Sequence, residues 1–70
     1  MPENARRISA ILIPRSAESL RRAVERSGLS TTDVVNRAVQ LYDFADERTA
    51  AGDELMLRHK DGTTDTIKLF

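Results

Sequence analysis

The chain has no cysteine, no tryptophan and one histidine, and its only aromatic residues are Tyr42, Phe44 and Phe70. Without thiols there is neither a disulfide framework nor a thiolate metal site, which suits a reducing compartment. His59 stands between Arg58 and Lys60, with no second histidine or cysteine to complete a dyad or a zinc set. No glycine-rich phosphate loop or metal-ligand spacing occurs either. The expectation is a protein that is not an enzyme and uses no cofactor and no metal. No apolar run reaches the roughly 18 residues of a membrane span, and Met1-Pro2-Glu3-Asn4 does not open a secretory leader. A soluble, cytoplasmic chain with no membrane partner is expected.

Little length is available as well. A chain of 70 residues makes one small domain that buries a modest fraction of its surface and is marginal unless something staples it. With disulfides and metals excluded, association with a second copy is the expected staple. The formal net charge is zero, but it is unevenly placed. Residues 1–30 carry Arg6, Arg7, Arg15, Arg21, Arg22 and Arg26 against Glu3, Glu18 and Glu25, a net +3. Residues 31–70 hold the compensating −3. The first half can therefore face a polyanion, although arginines scattered along a helix also serve simply to solvate it.

Residues 7–13, Arg7-Ile8-Ser9-Ala10-Ile11-Leu12-Ile13, are rich in β-branched side chains and closed by Pro14, a pattern that predicts a strand. Ile8, Ala10 and Leu12 alternate onto one face, which predicts a core face, with Arg7, Ser9, Ile11 and Ile13 on the other. From Pro14, a residue suited to the first position of a helix, Ala17, Leu20, Ala23 and Val24 recur at helical spacing and predict an amphipathic helix over 14–27 that stops at Gly28. Ile13 is a poor N-cap there, which leaves Ser16 to share the role. Ser30 caps a second predicted helix over 31–51, with Asp33 reaching back in a capping box. Val34, Val35, Ala38, Leu41, Tyr42 and Ala45, with Val39 beside them, make an apolar stripe wider than one small helix needs. Such width fits a helix at the centre of a dimer. Gly52 ends it.

Over residues 52–70, two alternating runs flank Asp61-Gly62, a strong hairpin signal. Matching apolar faces sets Leu57 opposite Ile67 and Leu55 opposite Leu69, with Asp61-Gly62-Thr63 as a three-residue loop. An isolated hairpin is barely stable in water, so its apolar residues are expected to pack on the helices. Otherwise its edge can recruit a strand from a partner protein.

A strand, a Pro-started helix, Gly28-Leu29-Ser30 and a second helix with Val34-Val35 and Ala38-Val39-x-Leu41-Tyr42 together resemble the ribbon-helix-helix family of DNA-binding repressors over residues 7–45. The resemblance implies a mainly α fold with short β: an intertwined homodimer whose N-terminal strands pair into an antiparallel ribbon, here with a flexible arm at 1–6 and a C-terminal β-hairpin at 52–70. It implies a dimer core of Ile8, Ala10, Leu12, Leu20, Val24, Val35, Ala38, Val39 and Tyr42. In that family the outer face of the ribbon enters the major groove of double-stranded DNA, which assigns base reading to Arg7, Ser9 and Ile11. Arg7 suits guanine, and Ser9 suits either class of base edge. Ile11 departs from the usual polar residue and reads either as a contact to a thymine methyl or as a mark against base reading. The resemblance also sets Ser30, Thr31 and Thr32 against the phosphate backbone, with Arg6 adding a contact from the arm; free amides and the positive dipole end of a helix favour anions there independently. The expected function is sequence-specific repression of transcription, with higher assembly on DNA because one ribbon reads few base pairs. The alternative is a protein-interaction module, or the antitoxin of a toxin–antitoxin pair, whose C-terminal hairpin binds a partner.

Overall fold

The computed structural model describes residues 5–69 and contains two helices followed by a two-stranded hairpin. Helix α1 is Pro14–Ser27, α2 is Thr31–Ala50, β1 is Leu55–Arg58 and β2 is Thr64–Ile67. Residues 5–13 carry no regular secondary structure and every one of them is exposed. The ribbon-helix-helix order expected above is therefore not seen: the strand at 7–13 is absent, and the one sheet among the described residues is the C-terminal β1-β2 pair. The reason lies in the backbone. β-Branched residues make a stretch compatible with a strand, but a strand exists only where its N–H and C=O groups meet a partner edge, and within one chain residues 7–13 meet none.

Local chemistry accounts for the helix ends. Pro14 occupies the first turn of α1 after Ile13, whose extended backbone offers no side-chain cap; Ser16 forms no capping bond among the described residues. Gly28 ends α1 in the left-handed region at φ 71°, donating its N–H to the Val24 carbonyl at 3.0 Å. An L residue resists that conformation, and glycine does not. Ser30 caps α2 by accepting from the Asp33 N–H at 3.1 Å, but the reciprocal bond from the Ser30 N–H to the Asp33 carboxylate is not formed among the described residues, the aspartate being one carbon shorter than the usual glutamate. At the far end, Asp53 N–H bonds the Arg48 carbonyl and Gly52 N–H bonds that of Thr49. These are the two bonds of a Schellman stop, with Gly52 at φ 101°.

The hairpin differs in register from the expected one. Leu55 pairs with Ile67, Met56 with Thr66, Leu57 with Asp65 and Arg58 with Thr64. The loop is Lys60-Asp61-Gly62, closed by His59 N–H donating to the Thr63 carbonyl at 2.7 Å and Gly62 N–H donating to the His59 carbonyl at 3.0 Å. Gly62, at φ 94°, takes the left-handed position that closes a three-residue loop built on a type I turn. Asp61 completes it by accepting from the Thr63 N–H at 2.9 Å and the Thr63 hydroxyl at 2.6 Å. The expected loop began one residue later and left the glycine in its middle. Leu55, Leu57 and Ile67 nevertheless still share one face.

Very little is buried in a single chain. Ala45, 3% exposed, is the one fully buried residue among those described. Leu20, Ala23 and Val24 of α1, Leu29 of the turn and Val34 of α2 are half-buried where the helices meet, and Leu55 and Leu69 are half-buried at the other end of α2. The accessible surface is 6803 Å², whereas a compact monomer of 7.8 kDa exposes roughly 4,400 Å². The Cα radius of gyration, 14.7 Å, likewise exceeds the roughly 11 Å of a compact domain of this length.

Candidate nucleic-acid interface

Exposed apolar side chains lie on both flanks of α2, on the segment before α1 and on the hairpin. Val34, Ala38, Leu41 and Ala45 follow one line along the helix at spacings of three and four, and its two ends are covered within the chain. Beside it, Val35, Val39 and Tyr42 make a second line that is exposed throughout, and Phe44 is exposed on the opposite flank. Of the expected dimer core, Leu20 and Val24 are half-buried between the helices, while Ile8, Ala10, Leu12, Val35, Ala38, Val39 and Tyr42 are all exposed.

The cations divide into engaged and free. On α1, Arg21 Nη2 lies 2.6 Å from Glu18 Oε1 and its Nη1 lies 2.6 Å from Glu25 Oε2, with Arg22 Nη1 3.4 Å from Glu18. The Arg21 hydrogen bond holds the Glu18 carboxyl below the usual glutamate range and raises the Arg21 guanidinium in turn. These pairs are exposed, so their contribution to stability is small; their effect is to neutralise the middle of the helix. Arg6, Arg7, Arg15 and Arg26, and in the second half Arg37 and Arg58, have no ion-pair partner among the described residues. Arg26 also rims an open depression of about 400 Å³ with Arg21, Arg22 and Glu25.

Arg6, Arg7, Ser9 and Ile11 lie on the exposed segment before α1, with Ile11 97% exposed. Ser30, Thr31 and Thr32 form the exposed start of α2. No hydrogen bond joins the two groups among the described residues. At the helix start the Ser30 hydroxyl accepts from the Asp33 N–H, and the Thr31 and Thr32 amides have no acceptor among the described residues. Asp33 already places a carboxylate in this first turn and opposes a second anion there. Sequence reasoning did not single out Arg15 and Arg26 as contacts. Spacing alone does not separate Arg15 from Arg21, since Glu18 stands three residues from each; the side-chain geometry selects Arg21 and Arg22.

His59 Nε2 lies 2.6 Å from Asp65 Oδ2 across the hairpin, a pairing that occupies the one imidazole. No cluster of three or more metal-ligating side chains occurs among the described residues, and no helix of the described chain is long and apolar enough to cross a membrane. Comparison with protein-family models, with curated proteins and with solved structures returns no match to this chain.

Proposed function

We propose that two copies of this chain associate through the exposed Val35-Val39-Tyr42 flank of α2 and bind double-stranded DNA in the cytoplasm as a sequence-specific regulator, repressing transcription by occupying a promoter. The observation that carries the DNA reading is that four of the six arginines without an ion-pair partner among the described residues, Arg6, Arg7, Arg15 and Arg26, lie in the basic half of the chain. A dimer doubles them onto one particle, and phosphate neutralisation by such side chains supplies most of the affinity of nonspecific DNA binding. Association is supported by exposure: Val35, Val39 and Tyr42 stay 39%, 58% and 51% exposed in the single chain, and obligate dimers cover apolar faces of this kind. Arg7, with its two-pronged donor set, is the residue assigned to base edges, and Arg6 with Ser30, Thr31 and Thr32 are assigned to phosphates.

Selection of a preferred duplex from a random pool, followed by a salt series, tests this. Affinity is expected to fall steeply as salt rises. Arg7→Ala is expected to weaken the preferred duplex by about 1–3 kcal/mol and random DNA by less. Equal loss on both makes Arg7 a phosphate contact, and no binding at low salt refutes the DNA reading.

A further inference from the structure

The outer edge of β1 is unpaired, and its residues read as a mirror about Met56. Asp53-Glu54-Leu55-Met56-Leu57-Arg58-His59 places acids on one side of the methionine, a base and a histidine on the other, and a leucine at each flank. In an antiparallel ladder residues directly opposite each other interact. Turning a second copy of this strand about an axis through Met56 sets Leu55 opposite Leu57, Glu54 opposite Arg58 and Met56 opposite itself, each of the first two pairs occurring twice.

The backbone is oriented for this. His59 N–H points across to Thr63, and in an antiparallel pair the bonded residues alternate. Leu57 and Leu55 therefore turn their amides toward β2, while Met56 and Arg58 turn theirs to the free edge, and Glu54, the residue just before the strand, is next in that alternation. These three are the residues that exchange main-chain bonds in the mirrored register. Met56 is 51% exposed, Glu54 and Arg58 are exposed, and neither charge has an ion-pair partner among the described residues. The edge also lacks the proline or central lysine by which free edges are commonly guarded.

From this self-complementarity we propose that β1 pairs antiparallel with β1 of a second copy about Met56, joining two hairpins into a four-stranded sheet of order β2-β1-β1-β2. The surface is distinct from the α2 flank, so a chain that uses both links dimers side by side. It stands apart from the DNA reading and is tested without DNA.

Because the chain has no cysteine, a single one reports the geometry. Opposed bonded residues lie with Cα atoms about 5.5 Å apart, within disulfide range, whereas the two Thr66 positions would be about 14 Å apart at three strand spacings. In the full-length protein, Met56→Cys is expected to form a covalent pair under mild oxidation and Thr66→Cys is not. Glu54→Arg or Arg58→Glu, each added to Met56→Cys, is expected to cut the rate of cross-linking at least tenfold, and the two together to restore it, since the exchanged charges again face each other. Equal cross-linking at 56 and 66, insensitivity to the single reversals, or no recovery in the double variant overturns the proposal. Helical circular dichroism followed in the same samples shows that the chains remain folded. Loss of association through α2 is read separately at Val39, so either contact can fail without the other.

Discussion

Val39 gives the most direct measure of association through α2. It stands midway along the exposed Val35-Val39-Tyr42 line and is 58% exposed in the single chain. Val39→Ala removes two methyl groups, each contributing about 0.8 kcal/mol when fully buried. The fraction that a second copy would newly cover is therefore about 0.9 kcal/mol, or about 2 kcal/mol for both chains of a twofold pair. At about 1.4 kcal/mol per tenfold, the dimer should dissociate roughly 20-fold more readily. Alanine is the better helix former, so the weakening does not come from melting α2 itself. Sedimentation equilibrium measures the constant, and thermal melts over a dilution series check it, because a chain folded through its partner melts at a temperature that rises with concentration. Gln40→Ala, on the polar side of α2, is the control. A dissociation constant within twofold of the parent, or melting independent of concentration, would refute the reasoning.

Gly28→Ala is expected to cost about 1–2 kcal/mol, seen as a lower melting temperature by calorimetry: an added Cβ meets nothing within 4 Å, so the penalty is that of φ 71° alone. Asp61 titrates below its usual value near 3.8 because the Thr63 hydroxyl and N–H bond its charged form. Its contribution is thus complete above the unfolded value and is lost as pH falls through the lower folded one. Asp61→Asn should flatten the acid limb of the stability profile below about pH 4, and carboxyl chemical shifts followed by NMR should place the parent Asp61 below the usual aspartate value.

The helix ends were legible because they depend on neighbours in sequence. Pro14 starts a helix for want of an N–H, Gly28 stops it by accepting a positive φ, and Ser30 starts the next by bonding an amide three residues on. The hairpin was legible for the same reason, through Asp61-Gly62, but its register was not. Matching apolar faces allows any slip of two residues, and the choice between them rests on which loop position must be left-handed; Gly62 takes the last. Residues 7–13 show the opposite limit. Isoleucine-rich alternation speaks to side chains, whereas a strand is decided by a backbone partner that no local pattern supplies. At the candidate interface the positions of the arginines could be read from spacing. Which of them remain free depended on rotamers that let Arg21 take both Glu18 and Glu25.

That one alanine alone is fully buried among the described residues also bears on abundance. If a chain acquires its interior only by meeting another, its folded population grows with the square of its concentration at low dose, and lone copies are left to proteases. Halving synthesis would then more than halve the working protein. The near absence of a private core would act as a threshold, silencing the molecule soon after its gene is turned down.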